Sequence, residues 1–356
     1  MSMFEGSRAL PVLCAAALLA CLCAVPRPAA ADDDLKLILG STAFGLGDVV
    51  QFIAEDQGFY KAEHLNVDRE EANGPAICAQ LVASGKGDVC AMSIEPILLG
   101  YQHGLRLQLF LSRTSRYSYC MAVPEESPIR TLADFKGATI GELSTGEPSE
   151  IAARSMLEGA GLQAGDVTFL PIGFGAQAVG TVVDKRVAGL AYPYLEIVKF
   201  DVIFHKKMRV FYHPILKDIS NVGYAASPAT IAARPDVLRR FARALVEAAV
   251  FVHANPQASA RIFLSKAPGP KYTEADVQNV TRELVQTRDF LPAADPASKR
   301  IGALSPLGIA FYTKLLTDGG LIHDVPPLDA VMTNQFVDFA NDFNHAAIVA
   351  QAKNTR

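Results

Sequence analysis

Short apolar runs alternate with amphipathic helical runs from residue 35 onward. We predict strands at 35–39, 66–70 and 89–92, and helices at 48–57, 75–84 and 96–104. Proline begins two of these helices, and glycine stands at or just after the helix ends, as helix boundaries favour. Strands that alternate with helices predict an α/β fold in which each sheet is mainly parallel and is flanked by helices.

The same alternation starts again after residue 113. We predict strands at 118–123, 138–141, 167–171 and 187–192, and helices at 131–137, 149–159 and 176–184. Four longer helical runs follow at 235–254, 273–287, 306–316 and 329–343. With 356 residues, half of them apolar, the chain is long enough for two domains or for two lobes of one fold.

One pattern occurs in both halves. Residues 81–95 read LVASGKGDVCAMSIE, and residues 182–196 read VVDKRVAGLAYPYLE. Each stretch ends a helix, turns, forms a short apolar strand and reaches a loop that contains proline. The pattern predicts two similar α/β units, each with a loop at the carboxyl end of a strand, where open α/β sheets bind ligands.

The N-terminus has the features of an export signal. An apolar run covers residues 10–25, and Ala29 and Ala31 have the small-x-small spacing of a signal-peptidase site. We therefore predict a signal peptide at 1–31 and a soluble periplasmic chain that starts at Asp32. The sequence LLAC at 18–21 also resembles a lipoprotein box, in which case lipid on Cys21 would anchor the protein to the membrane.

Charge and cysteine content narrow the class of protein. The formal net charge is −4 and no basic block is present, so nucleic acid is not an expected partner. After residue 31 three cysteines remain, Cys78, Cys90 and Cys120. An export compartment permits a Cys78–Cys90 disulfide, and small buried side chains are the other interpretation of all three thiols.

Motifs of catalysis and of cofactor binding are absent from the sequence. The chain has no GxSxG, P-loop, GxGxxG, HExxH or CxxC motif, and its seven histidines show no metal-binding spacing. We therefore expect a binding protein rather than an enzyme, without a cofactor or a metal ion.

Four segments resemble one family in the same order along the chain. They are DQGFYKAEHLNVD (56–68), LVASGKGDVCAMSIEP (81–96), MAVPEESPIRTLADFKGATIG (121–141) and SMLEGAGLQAGDVTFLPI (155–172). They resemble the nitrate/sulfonate/taurine/pyrimidine-type substrate-binding proteins of ABC importers, a family that includes thiamine-pyrimidine-like members. The resemblance extends over residues 35–255, and the later helical runs match less clearly.

The resemblance implies a two-lobed periplasmic-binding-protein clamshell of type II. Lobe 1 would comprise residues 35–118 plus 224–345 with the C-terminal helices, and lobe 2 residues 119–223. The crossings at 118–120 and 221–224 would act as the hinge. Such a protein, a monomer, captures a small organic molecule between its lobes and delivers it to a permease in the inner membrane. The alternatives on this fold are an enzyme of thiamine-pyrimidine synthesis, whose CCCFC motif this chain lacks, and an extracytoplasmic sensor.

Loops after the predicted strands supply the candidate ligand contacts. These are Phe44, Asn73, Ser93, Glu95, Tyr117, Ser144, Thr145, Gly146, Glu147, Tyr192 and Tyr194. Tyr192 and Tyr194 stand where the family often has an aromatic residue, and either ring could stack on a ligand. Phe44 could equally belong to the core, and Asn73 and Ser93 could be helix caps.

The loop GELSTGEPSE (141–150) bears on the charge of the ligand. Glycine and hydroxyl side chains at a helix start favour an anion, but Glu147 adds negative charge and Pro148 removes an N–H donor. Glu147 could instead complete a capping box with Ser144. We therefore expect a neutral or amine-bearing ligand. Arg113 and Arg116 could bind an anion, although solvation at the surface is the simpler role for both.

Overall fold

Ten strands arranged in two sheets are found in the residues that the computed structural model describes, 32–40, 44–145, 148–173, 175–267, 271–290 and 300–356. In chain order the strands are β1 (Asp33–Leu39), β2 (Leu65–Glu71), β3 (Val89–Ser93), β4 (Gln108–Ser112), β5 (Tyr119–Pro124), β6 (Thr139–Glu142), β7 (Thr168–Pro171), β8 (Gly189–Pro193), β9 (Met208–Phe211) and β10 (Val222–Ala226). Sheet A has the order β2-β1-β3-β10-β4, and sheet B has the order β7-β6-β8-β5-β9.

The two sheets have the same pattern of strand directions. In sheet A, β1 pairs in parallel with β2 and β3, whereas β10 is antiparallel to β3 and β4. In sheet B, β6 pairs in parallel with β7 and β8, whereas β5 is antiparallel to β8 and β9. Four strands of each sheet therefore run in one direction. The predicted α/β fold is confirmed, and each sheet is mixed because of its one reversed strand.

Helices flank both sheets. They are α1 (Val49–Asp56), α2 (Phe59–Ala62), α3 (Pro75–Ala83), α4 (Glu95–Tyr101), α5 (Pro148–Gly159), α6 (Gly175–Val183), α7 (Tyr194–Val202), α8 (Pro228–Ala233), α9 (Pro235–Ala254), α10 (Pro256–Lys266), α11 (Glu274–Gln286), α12 (Pro306–Asp318), α13 (Leu328–Val331), α14 (Val337–Asn341) and α15 (His345–Asn354). Short 3₁₀ turns lie at Leu46–Asp48, Leu132–Phe135, Ala164–Asp166 and Leu216–Asp218.

The predicted helix at 329–343 is wrong. The chain there forms α13 and α14, and between them Met332 bridges to Leu109 of the edge strand β4. The N–H of Thr333 also donates to the Leu109 carbonyl at 2.8 Å. Backbone N–H and C=O groups at the edge of a sheet lack partners within that sheet. The contacts of Met332 and Thr333 with Leu109 supply partners to this edge of sheet A, and the helix is interrupted where they form.

The repeated pattern is confirmed at atomic detail. The N–H of Lys86 donates to the Leu81 carbonyl, and the N–H of Arg186 donates to the Thr181 carbonyl. The turn residue before each donor has a positive φ, 74° at Gly85 and 56° at Lys185. The two turns lead into β3 and β8, which occupy the same place in their sheets.

The described cysteines include one disulfide. Cys78 of α3 and Cys90 of β3 are bonded, with their Cα atoms 5.9 Å apart, so their interpretation as separate buried thiols is wrong. Cys120 is a buried free thiol, and burial raises its pKa. The predicted signal peptide and Cys21 lie outside the described residues. In the described part of the chain no helix has the length and apolar character needed to span a membrane.

Candidate ligand-binding site at the strand ends

The chain passes between the two sheets beside the carboxyl ends of β3 and β8. Val222, the first residue of β10, pairs with Ser93, the last residue of β3. In sheet B, Tyr119 begins β5 and pairs with Pro193 at the end of β8. Parallel strands of both sheets therefore end where the chain crosses, the position at which open α/β sheets bind ligands.

Equivalent hydrogen bonds hold the two crossings. The N–H of Ile94 donates to the Asn221 carbonyl, and the N–H of Tyr194 donates to the Ser118 carbonyl, each at 2.8 Å. The side chain of Asn221 joins the crossings, because its Oδ1 accepts from the Ser118 N–H at 2.9 Å. We call the region around these contacts, at the ends of β3, β6 and β8, the junction.

Glu95 is the central acidic group of the junction. Its side chain is buried, and its Oε1 accepts from Asn221 Nδ2 at 3.0 Å and from the Tyr312 hydroxyl at 2.9 Å. Its Oε2 is buried without a hydrogen-bond partner among the described residues. Burial raises the pKa of Glu95, while hydrogen bonds from Ser93, Asn221 and Tyr312 act in the opposite direction. The carboxyl can therefore both accept and, when protonated, donate a hydrogen bond.

Three tyrosine rings pack in a row that begins at this carboxyl with Tyr312. The ring of Tyr117 lies edge-to-face with Tyr119 at 5.5 Å and with Tyr312 at 5.4 Å between centroids. Tyr117 is 1% exposed, and its hydroxyl is buried without a hydrogen-bond partner among the described residues. Ile151 and Ala152 of α5 belong to the same apolar cluster, so elements of both sheets contribute to this side of the junction.

A second acidic group stands at the end of β6. Glu142 is buried beside Glu150, and its pKa is raised to about 7 by burial first and by the charge of Glu150 second. A hydrogen bond with the Thr145 side chain acts in the opposite direction, as does the charge of Arg154. Arg154 binds Glu150 Oε1 at 2.6 Å. Glu142 Oε2 and the buried hydroxyl of Ser149 have no hydrogen-bond partner within the described ranges.

Arg113 is not the solvated residue that the sequence predicts. Its Nη2 contacts Asp48 Oδ1 and the Gly47 carbonyl, each at 2.6 Å, and its guanidinium lies 5.5 Å from the centre of the Tyr224 ring. Because Asp48 neutralises it in a buried ion pair, Arg113 is not a free cation for an anionic ligand. Arg116 is solvated as predicted, with 42% of its side chain exposed.

Other predicted contacts lie at the edges of the junction. Phe44 packs edge-to-face on Phe52 at 5.2 Å and so extends the core of sheet A. Asn73 is exposed, and its predicted role as a cap is wrong, since Gly74 with φ +107° is the N-cap of α3. Ser93 does not cap α4 either, because Ile94 occupies that position and Ser93 adjoins Glu95.

The tyrosines at the end of β8 differ in burial. Tyr192 is buried in the core of sheet B, and its hydroxyl donates to the Gly173 carbonyl. The Tyr194 ring is partly buried, 5.7 Å from Tyr212 and 5.3 Å from Phe290 between ring centroids. Tyr194 is therefore the more available of the two for stacking.

The loop GELSTGEPSE (141–150) is only partly described. Ser144 and Thr145 are exposed at the end of β6, and Thr145 adjoins Glu142. Gly146 and Glu147 lie outside the described residues, so the capping box and the ligand contact predicted there stay predictions. Glu142 itself is a residue that sequence reasoning missed, although a carboxylate at the end of the apolar strand ATIGE was a usable signal.

The junction offers hydrogen-bonding groups rather than metal ligands. Among the described residues no group of three or more His, Cys, Asp or Glu side chains is arranged to hold a metal ion. Buried carboxyl and hydroxyl groups beside tyrosine rings can instead bind a flat polar molecule, by stacking and by directed hydrogen bonds.

Comparisons with known proteins agree with this architecture. The "Riboflavin-binding protein RibY" of Chloroflexus aurantiacus is 25% identical over 233 residues, which are 64% of this chain and 65% of that protein, just under two thirds of its length. The periplasmic aliphatic sulphonate binding protein SsuA of Escherichia coli superposes with a TM-score of 0.63 at 15% identity, covering 83% of this chain and 91% of that one. The periplasmic nitrate-binding protein NrtA of Synechocystis PCC 6803 gives a TM-score of 0.60 at 10% identity, covering 91% and 98%.

The structural neighbours establish the fold, and a family model establishes the family. The structures share the fold of periplasmic binding proteins at low sequence identity. The model described as "NMT1/THI5 like" matches residues 49–259, more than half of this chain. The family predicted from the four sequence segments is thereby confirmed, and the chain belongs to the NMT1/THI5-like family.

Proposed function

We propose that this protein is the solute-binding component of an ABC importer and that it binds a small organic molecule at the junction. Each sheet would be the centre of one lobe, with lobe 1 at 35–118 plus 224–345 and lobe 2 at 119–223. The protein would act in the periplasm as a monomer and deliver its ligand to a permease in the inner membrane. The enzyme alternative is not favoured, because the chain lacks the cysteine-rich motif of thiamine-pyrimidine synthesis.

The observation that carries this proposal is a set of buried polar atoms without partners. Among the described residues, four such atoms belong to the junction, namely Glu95 Oε2, the Tyr117 hydroxyl, Glu142 Oε2 and the Ser149 hydroxyl, and three further ones belong to Gln51, Tyr60 and Arg113. Buried polar groups are nearly always hydrogen-bonded, since desolvation without a partner costs free energy. A ligand with several polar groups, bound at the ends of β3 and β6, would supply the missing partners.

The charges of the junction favour a neutral or amine-bearing ligand. Arg113 is neutralised by Asp48, and the carboxyl groups of Glu95 and Glu142 supply no positive charge to an anion in either protonation state. Similarity to a riboflavin-binding protein supports the same class, because riboflavin is an uncharged, flat heterocycle with an N–H donor. We therefore infer a flat heterocycle with N–H groups as the ligand, and riboflavin is the first molecule to test.

Ligand entry requires the lobes to separate. Tyr117 and Glu95 are 1% and 2% exposed, so solvent and ligand reach them only when the junction opens. The crossings at Ser118 and Asn221 would be the hinge, since they are the connections that remain when the two sheets move apart.

The proposal is tested by a thermal-shift series on the chain from residue 32 onward, with riboflavin, pyrimidine amines, nitrate, taurine and alkyl sulfonates. A ligand at about a hundred times its Kd stabilises the folded protein by roughly 2.7 kcal/mol, which raises Tm by several degrees. We expect Y117F, which removes only a hydroxyl, to weaken binding of the ligand that is found. Y101F is the matched control, because Tyr101 lies on α4 and packs against Arg106, away from the junction.

Two outcomes would contradict the proposal in different ways. A shift with nitrate or sulfonates alone would keep the binding function and overturn the ligand class. Ligand binding that Y117F and Y101F leave equally unchanged would place the site elsewhere on the protein.

A further inference from the structure

A cavity lies at the end of sheet B that faces away from the junction. It has a volume of about 540 Å³, which is within the range of small-molecule sites. The end of β5, the starts of β6 and β9 and the turn before β8 surround it. Apolar side chains form much of its lining, among them Ile129, Val182, Val183, Val187 and Met208.

The rim of this cavity is basic. Lys185, Arg186, Lys206 and Lys207 line it, against one carboxylate, that of Glu126. None of these four cations has an ion-pair partner among the described residues. The exposed lysine and arginine groups therefore leave a local positive charge beside an apolar surface.

The corresponding end of sheet A, at the amino ends of β1 and β3, is closed by side-chain contacts. Asp88, the counterpart of Ala188, accepts from the Lys36 N–H at 2.8 Å and binds Arg234 at 2.6 Å. The guanidinium of Arg234 also donates to the Asp34 carbonyl and so closes the amino ends of β1 and β3. The side chain of Lys36 near that end binds Glu70 at 2.5 Å. Ala188 has no side chain that could make such a connection in sheet B.

We propose that the cavity of sheet B is a second binding site, which takes an organic anion with an apolar body, such as a medium-chain carboxylate. The apolar lining would hold the body of the ligand, and the four rim cations would hold its charged group. This site is separate from the junction, lies at the opposite end of the parallel strands and does not depend on the proposed function.

The test is calorimetric titration of the protein with decanoate, and with decyltrimethylammonium as the ligand of opposite charge. We expect saturable binding of decanoate and none of the cation. Reversing two rim charges in R186E/K206E should weaken decanoate binding by about tenfold or more, since each reversal replaces an attraction with a repulsion. K86E is the matched control, because Lys86 is the counterpart of Arg186 at the closed end of sheet A.

The variants distinguish binding at this cavity from binding elsewhere on the protein. Loss of affinity in R186E/K206E with unchanged affinity in K86E supports the site, and circular dichroism on each variant verifies that it is folded. The proposal is overturned if decanoate does not bind, if both ligands bind alike, or if K86E weakens binding as much as the rim variant. It is also overturned if decanoate binding is lost in Y117F, which would place decanoate at the junction.

Discussion

Sheets A and B share one strand order, yet equivalent positions carry different chemistry. Leu39 and Glu142 occupy equivalent positions, opposite Ala91 in β3 and Ala191 in β8. Sheet A therefore has an apolar residue where sheet B has a buried carboxyl, and it brings its own carboxyl, Glu95, from the end of β3. The same architecture thus supplies acidic groups to the junction from the end of one strand, β6, and from the start of one helix, α4.

The ends away from the junction differ as well. Sheet A has an ion pair between Asp88 and Arg234 at this end. Sheet B has Ala188 and a cavity at the corresponding end. The backbone topology therefore determines where sites lie, whereas a few side chains at the strand ends decide whether each end is closed or open to a ligand.

The largest expected effect comes from the disulfide that only sheet A has. Replacing Cys78 and Cys90 with alanine should destabilise the protein by about 3 kcal/mol, as expected for a bond that closes a short loop. Thermal unfolding measures this loss, and a reductant should destabilise the natural protein and leave the double variant unchanged. C120A, which alters a free thiol, is the control. Equal reductant sensitivity in both proteins would contradict the prediction.

The second largest loss of stability is expected for substitution of Asn221, because its side chain joins the two crossings. N221A removes a buried acceptor of the Ser118 N–H and a donor to Glu95, at an expected cost of about 2 kcal/mol. Urea unfolding measures the change, and N66A, at an exposed hydrogen bond to Asp34, is the matched control. If both variants lose the same stability, Asn221 does not hold the crossings together.

A smaller effect should follow when sheet A is made to resemble sheet B. D88A copies Ala188 and breaks the contacts with Lys36 and Arg234, which are partly exposed, so we expect a loss of about 1 kcal/mol. D184A changes an exposed aspartate of the other turn and should cost less. Chemical unfolding measures the stability of both variants. If D88A is as stable as D184A, the ion pair between Asp88 and Arg234 does not close sheet A.

The smallest expected effect is the pH dependence of stability that Glu142 causes. Burial and the charge of Glu150 raise the pKa of Glu142 from 4.5 to about 7. At a pH between these two values, the folded protein keeps a proton on Glu142 that the unfolded chain has released. Its contribution to stability is complete below about pH 4.5 and is lost as the pH rises through about 7. E142Q should therefore melt about one degree higher than the natural protein at pH 8, with a smaller difference at pH 5.

Glu158, exposed on α5, provides the control for that measurement as E158Q. Glu247 and Glu283 also have pKa values raised to about 7, mainly by burial, and they remain in the E142Q variant. The test is therefore the difference between two melting curves across pH. A difference that is the same at pH 5 and pH 8 would show that Glu142 does not titrate in this range.

Much of the fold could be predicted, because the alternation of strands and helices is a local pattern. Strands β4, β9 and β10 were missed, since each has only four or five residues and β10 contains glycine and alanine. Their pairing partners lie far away in the sequence, and β10 is inserted between β3 and β4. No local signal in VGYAA indicates that position.

The junction could be predicted only in part, because some of its residues have a local sequence signal and others do not. Glu95, Ser93 and Tyr117 were predicted from loops near strand ends and from the family resemblance. Asn221 was predicted only as part of the hinge, and Tyr312 was missed, because they stand 126 and 217 positions from Glu95 and meet it only in the folded protein. The Cys78–Cys90 bond was left open, since spacing alone does not give the distance between two Cα atoms.

The position of β10 has a consequence for the order in which the protein folds. All strands of sheet B lie in one continuous stretch of chain, whereas sheet A has to wait for Val222–Ala226 to complete its interior. We therefore expect sheet B to form first during synthesis or refolding, and sheet A to form slowly through distant contacts. Until β10 is inserted, the facing edges of β3 and β4 have unpaired backbone groups, and an incomplete chain at this stage is open to edge-to-edge aggregation.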